Sequence, residues 1–344
     1  MRTIDIHTHL LSPEVTFDRP YDKVAVYFFA PSLGANPRSL KKQPYQTYIE
    51  TMARAVRESV YVEKTCLFGV DARFDEHGRE IDRDKTVCAM NEDVLAVAAR
   101  YPDQFIPFLS VNPRRPNALD LIDEFVARGC CGAKFLQNYW GLDLNSERLI
   151  PYYEKLKQHN LPLIVHIGSE YTIHTHSSYE RVEMLELPLA TGVTVIAAHM
   201  GLGRFEHKLL AWRNLSKQPR YFDRDYFRLL EMLTQYQNLY ADISAILVPL
   251  RARALRHLSE QKQVHDKILF GTDYPVPFTV RLNCLDLNSA TRKQIAQIEN
   301  PFDRYTAVIL EHFPAENPIY RNHQKLLPAK THCHISFTQN PNAS

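Results

Sequence analysis

The chain has no Cys-x-x-Cys pair, no surplus of charge of one sign, no apolar run of membrane-spanning length and no Gly-x-Gly-x-x-Gly. Each absence excludes a class. The six cysteines, at 66, 88, 130, 131, 284 and 333, lack metal-type spacing, and the adjacent pair Cys130-Cys131 cannot form an unstrained disulfide with itself. They read as reduced thiols of a cytoplasmic protein. Lys and Arg number 41 against 39 Asp and Glu, a net charge of +2. No long-range field therefore draws the chain to nucleic acid or to a membrane surface, and neither is expected as a partner. Arg251-Ala252-Arg253 and Lys41-Lys42 read as solvated faces. A strand starting at residue 3 leaves no room for a signal peptide, which again predicts a cytoplasmic location. The missing glycine fingerprint removes the main dinucleotide-binding signal. What remains is an ordinary globular composition, 45% hydrophobic and 23% charged over 344 residues, without internal repeat or low-complexity segment.

What the sequence does contain is an alternation. Short apolar runs at 3–10, 64–70, 104–111, 131–136, 163–167, 193–198, 239–243 and 267–271 predict eight strands. Helical spacing predicts helices at 45–58, 84–100, 117–128, 146–159, 178–187, 204–214, 226–236 and 247–260. A further helix is expected over 292–313, interrupted at Asn300-Pro301, and a short one over 320–327. Strands buried on both faces and separated by helices imply a parallel sheet. Eight such units predict an α/β fold closed into a (β/α)8 TIM barrel, one domain over residues 1–330. Residues 12–44, with Phe17, Tyr21, Tyr27, Phe28 and Phe29, read as a long irregular insertion, either a lid or a surface excursion. Residues 331–344, with His332-Cys333-His334, read as a flexible tail.

In such a barrel the chemistry sits at the C-terminal ends of the strands. The first strand carries His7 and His9, which project from one face because they are two residues apart. Later strand ends carry Asp71, Ser110 with Asn112, Lys134, His166, His199, Asp242 and Asp273. Singly, each has a structural explanation: His166 and His199 as core histidines, Asp273 as a turn cap, Asp242 as a hydrogen-bond holder for a neighbour. Together they form one rim, and burying that many imidazoles and carboxylates without a partner costs several kcal/mol apiece. A divalent ion removes the cost by accepting their electron pairs. Imidazoles with a carboxylate suit Zn²⁺, and Fe²⁺, Mn²⁺ or Co²⁺ also match. Such an ion brings water to an ionisable state near neutral pH. Asp273 is then expected to touch the metal and carry the proton of water to a leaving group, and His199 to polarise a carbonyl. Lys134 can turn away from the ion, lose its charge by carboxylation and bridge two metals, or pair with a substrate carboxylate or with Asp242.

The ordered set Asp5-Ile6-His7-Thr8-His9, Gly132-Ala133-Lys134-Phe135, His166, Ala198-His199-Met200-Gly201 and Gly271-Thr272-Asp273-Tyr274-Pro275 resembles the amidohydrolase superfamily. More narrowly it is similar to the branch of aminocarboxymuconate-semialdehyde decarboxylase and related metal-dependent hydrolases. The resemblance implies a metal-dependent TIM-barrel enzyme with ligands His7, His9, His166 and Asp273. His199 becomes a catalytic residue beside one ion or a ligand beside two, and Lys134 matches the position of a carboxylated bridging lysine. It also implies that dimers are common. A departure is the segment 168–178, which inserts His174 and His176 after the fifth strand. His174, and Tyr274 next to Asp273, are expected at the substrate. The expected activity is hydrolysis of an amide, ester or lactone carbonyl in a small carboxylate-bearing substrate. The alternative is non-oxidative decarboxylation of an aromatic or muconate-like acid, and a catalytically silent barrel is the third reading. Lys134 tips the balance to the hydrolase.

Overall fold

The computed structural model describes residues 1–16, 22–81, 89–170, 175–203, 223–249 and 251–327. The expectations for Phe17, Tyr21, His174, the helix over 204–214, the first turn of the helix over 84–100 and the tail from 331 fall outside these residues.

Strand β1 (Thr3–His9) is followed by α1 (Asp22–Leu33), α2 (Pro37–Lys42) and α3 (Pro44–Glu58). Next come β2 (Val62–Phe68), a small antiparallel hairpin of β3 (Arg73–Phe74) and β4 (Glu80–Ile81), and α4 (Asn91–Arg100). The chain continues through β5 (Phe105–Pro107), α5 (Ala118–Ala127), β6 (Ala133–Phe135), α6 (Gln137–Trp140) and α7 (Ile150–Gln158). Then follow β7 (Leu163–Val165), α8 (Glu186–Thr191), β8 (Val195–Ala197), α9 (Arg224–Gln235), β9 (Leu239–Asp242), α10 (Ala254–Glu260) and β10 (Ile268–Leu269). Three helices, α11 (Val280–Asn283), α12 (Ser289–Ile295) and α13 (Pro301–Leu310), complete the element order before two short 3-10 turns.

The eight parallel strands form a TIM barrel in two arcs, β1-β2-β5 and β10-β9-β8-β7-β6. The ladder does not run unbroken between the arcs; isolated bridges stand at both junctions. At one, Leu109 pairs with Ala133, and the Lys134 amide donates to the Leu109 carbonyl at 2.8 Å. At the other, Thr8 pairs with Tyr274, and the Asp273 amide donates to the His7 carbonyl at 2.8 Å. This second junction sets Asp273 directly beside His7. Strand β5 ends at Pro107, short of the predicted 104–111, although Phe108 and Leu109 still donate to the Leu67 and Gly132 carbonyls.

Packing follows the strand alternation. Ile6, Cys66, Phe68, Ile106, Phe108, Ile164, Ile196 and Leu269 fill the barrel, while Leu67, Phe105, Val165, Val195 and Leu239 belong to the layer shared with the helices. Residues 12–44, expected to be irregular, instead contain two helices. Val26, Ala30, Leu33 and Leu40 are buried in the outer core, so within this segment α1 and α2 act as packed walls. The side chain of Asn36 accepts from the Arg38 and Ser39 amides and starts α2. The helix expected over 292–313 is two helices, because Asn300 caps the second one and Pro301 takes its first position. Among the described residues no helix is long and apolar enough to cross a membrane.

Candidate metal centre

His7 lies at the end of β1, fully buried, and Nδ1 donates to Asp242 Oδ2 at 2.8 Å. That bond fixes the tautomer, because a carboxylate only accepts; Nε2 is left as an electron-pair donor. Asp273 Oδ1 stands 3.3 Å from His7 Nε2 and 3.2 Å from His9 Nε2. Yet this buried oxygen receives no aligned hydrogen bond among the described residues. Donor atoms of His7, His9 and Asp273 all lie within 4.8 Å of one another. Two atoms each ~2.1 Å from one tetrahedral zinc lie ~3.4 Å apart, so the contacts of 3.3 and 3.2 Å have the spacing of neighbouring ligands on one ion. Both imidazoles set their edges against Phe68, at ring separations of 5.0 and 4.8 Å, as two residues on one face of a strand must.

Asp242 organises the side away from that centre. Oδ1 accepts from the His199 and Ser244 amides at 3.0 and 2.9 Å and from the Ser244 hydroxyl, and Oδ2 holds His7. His199 Nδ1 donates to the Ser244 carbonyl at 3.1 Å, which again leaves Nε2 as the electron-pair atom. His166 is anchored the other way round: Nε2 donates to the Gly168 carbonyl at 3.1 Å, so Nδ1 carries the pair. The His166 and His199 rings are 4.7 Å apart, and His7 and His199 5.1 Å. Three histidines thus each spend one N–H on an outer acceptor, the arrangement that fixes imidazole ligands on a metal.

His199 and Asp273 hold φ of +62° and +64°. Non-glycine residues in that left-handed region cost of order 1–3 kcal/mol each, and hydrogen bonds to Asp242 and to the His7 carbonyl keep them there. Lys134, fully buried on β6, places Nζ 3.3 Å from His7 Nε2 and 5.2 Å from the Phe68 ring centre.

The electrostatics match ligands rather than charged histidines. Burial, then Lys134, lowers the pKa of His7. Burial pushes His166 down to about 3, and burial with Arg251 holds His199 well below its ordinary value. For Asp273 burial alone would raise the pKa, but His7, His9 and Lys134 outweigh it and hold the carboxyl well below the usual range. The same contest leaves Asp242 lowered through His7 and Ser244. Asp5 differs: burial raises it to about 7 despite bonds from Thr272 and His7. Neutral imidazoles with inward electron pairs and an ionised carboxylate fit a divalent ion.

The structure brings His7, His9, Asp273, Lys134, His166 and His199 to one end of the barrel. Tyr274 is a correction. Its ring stacks against Tyr48 and Phe302, and its hydroxyl donates to the Leu33 carbonyl, so the side chain is taken up by packing. Arg251 is another. Read from the sequence as solvated, it is 4% exposed and donates to the Ser169 carbonyl at 2.7 Å, beside His166. Asp71, at the end of β2, is bound in a two-pronged pair with Arg115 at 2.6 Å. Glu170, which the sequence did not single out, sets Oε2 3.7 Å from His166 Nδ1.

Comparison with known proteins gives a consistent picture. A TIM-barrel protein of Bordetella bronchiseptica superposes with a TM-score of 0.54 at 18% identity, over 90% of this chain and 99% of that one. An Acinetobacter baumannii structure named "probable 2-pyrone-4,6-dicarboxylic acid hydrolase", with citric acid bound, gives 0.52 at 16% identity over 95% and 99%. A Burkholderia multivorans amidohydrolase with bound zinc gives 0.54 at 12% identity over 95% and 100%. At these identities they show the fold. No curated protein matches the chain. The amidohydrolase family model matches residues 4–278, a span that contains every ligand candidate from His7 to Asp273. The chain belongs to the amidohydrolase family of metal-dependent enzymes.

Proposed function

We propose that this protein is a hydrolase that opens an amide, ester or lactone carbonyl in a small, carboxylate-bearing substrate. The observation that carries this reading is the convergence of His7, His9 and Asp273, with Lys134 Nζ 3.3 Å from His7 Nε2 and Arg251 near enough to His166 and His199 to lower their pKa. When bound, a divalent ion there, with zinc the best match to the donors, supplies Lewis acidity and acidifies water. His7, His9, His166 and Asp273 would hold one ion; a second would need His199 and a carboxylated Lys134.

The chain's own residues do the rest. Asp273, ionised and tethered by backbone bonds on both sides, receives a proton from water and passes it to the leaving atom. His199 presents an electron pair at Nε2, so it serves as a ligand or proton acceptor and not as the carbonyl-polarising donor expected from the sequence. Arg251 binds a substrate carboxylate through its planar guanidinium. In keeping with an acidic substrate, the Acinetobacter structure is named for a dicarboxylic acid and holds citric acid.

The test is to assay the zinc-loaded protein on lactones, esters and amides of carboxylic acids, and on aromatic and muconate-like acids for carbon dioxide. Hydrolysis that stops on chelation supports the reading. Carbon dioxide release without hydrolysis moves the protein to the decarboxylases. With a hydrolysed acidic substrate in hand, Arg251→Met is expected to raise KM about 10- to 100-fold, the worth of roughly 1.5–3 kcal/mol in a charge-assisted hydrogen bond.

A further inference from the structure

We infer that the outer helical layer holds a second binding site, separate from the metal centre, in which Arg54 and Arg304 take a small oxyanion, a carboxylate or a phosphate. The site is a cavity of about 790 Å³ between the C-terminal end of α1, the second half of α3 and the start of α13. That volume is ordinary for a small-molecule site. Leu33, Gly34, Thr51 and Ala55 line it with the two arginines, and no ligand candidate of the metal centre does.

The way α1 ends explains why two guanidinium groups meet there. Gly34 holds φ of +73° and turns the chain out of the helix; its amide donates to the Pro31 carbonyl, and the Ala35 amide to that of Ala30. The next three carbonyls each take a side chain. Ser32 accepts from Arg304 at 3.2 Å, Leu33 from the Tyr274 hydroxyl at 3.2 Å and Gly34 from Arg54 at 3.1 Å. Arg304 also donates to the Ile298 carbonyl at 3.2 Å. Two like charges are thereby drawn to one turn of chain, on the carbonyls either side of the one that holds Tyr274.

Carbonyl dipoles at a helix C-terminus favour a nearby cation without neutralising it. Among the described residues neither guanidinium has a carboxylate within ion-pair distance, and the two glutamates of the lining, Glu58 and Glu299, are exposed. Arg304 is half-buried, and burial lowers its pKa with no opposing carboxylate. Three of the ten N–H groups on the two forks are spent on backbone carbonyls. The others are available to an oxyanion, whose paired oxygens match a guanidinium two-pronged. Arg54 is exposed, so a ligand can reach the pair from solvent.

The experiment titrates the chelated full-length protein with inorganic phosphate and, separately, with succinate, by isothermal calorimetry. Chelation keeps the metal centre from capturing the anion, so the result does not depend on the hydrolase reading. Wild type, Arg304→Met and Arg54→Met are compared. Expected is saturable binding of at least one of the two anions, weakened about 10- to 100-fold in each variant, the worth of a charge-assisted hydrogen bond. The anion that binds tells a phosphate site from a carboxylate site. Binding of neither anion up to ~10 mM, or binding that either variant retains at wild-type strength, overturns the paired site. Should R304M fail to fold, R54M, altered at an exposed position, decides.

Discussion

Asp273→Asn is expected to lower kcat by about 10²- to 10⁴-fold, the loss that follows removal of a positioned proton carrier. The substitution keeps the shape of the side chain and removes its charge. Asparagine accepts the left-handed backbone that position 273 adopts, φ of +64°, so the loop has no reason to unfold. What changes is chemistry. The two imidazole nitrogens at 3.3 and 3.2 Å lose the anion that faces them, and the pocket keeps Lys134 and Arg251 without that counter-charge. Metal affinity should fall with turnover, because an amide oxygen is a weaker donor to zinc than a carboxylate. Kinetics with metal content measured on the same sample check the prediction. Activity within a few-fold of wild type sinks the assigned role of Asp273.

The second large effect is loss of stability in mild acid. Burial lowers the folded-state pKa of His7, His166, His199 and His323, to about 3 for His166 and about 4 for His323. In the unfolded chain each titrates near its ordinary value of 6.5. As pH falls below that value the unfolded state binds protons that the folded state refuses, so the folded state loses stability. Each histidine contributes up to about 1.4 kcal/mol per pH unit, until the pH reaches its folded value. Asp5, raised to about 7, works in the opposite direction between its ordinary value of 3.8 and about 7, and offsets one of the four. His166 and His323, at about 3 and about 4, still refuse protons at pH 5 while Asp5 offsets one group, so the net direction is a loss of stability. Bound metal does not reverse the sign, because protons compete with it for the same electron pairs. Thermal unfolding of chelated and zinc-loaded protein from pH 7.5 to 5 should show a melting temperature that falls steadily. A flat profile would mean that the histidines are already charged when folded.

The barrel was legible because its strands are buried on both faces and so appear as apolar runs, each ending in a polar residue. The first strand gave more, since two-residue parity alone places His7 and His9 together, as their shared contact with Phe68 shows. Less was legible where position in sequence and direction in space part company. Tyr274 follows Asp273, but successive side chains need not share a direction, and its ring packs against Tyr48 and Phe302. Arg251 sits in a charge run that reads as solvated, and only the fold shows it closing on Ser169. Residues 12–44 looked irregular because Pro31 lies inside α1, although Asn36-Pro37 was a readable start for α2.

Residues far apart in the chain, gathered at one end of the barrel, are held to share a divalent ion. Elemental analysis of the purified wild-type protein after exposure to zinc and removal of excess, alongside D273N, tests this most directly. One or two tightly held ions per wild-type chain, with fewer retained by the variant, is the expected result. A wild-type protein that retains no metal under those conditions contradicts it.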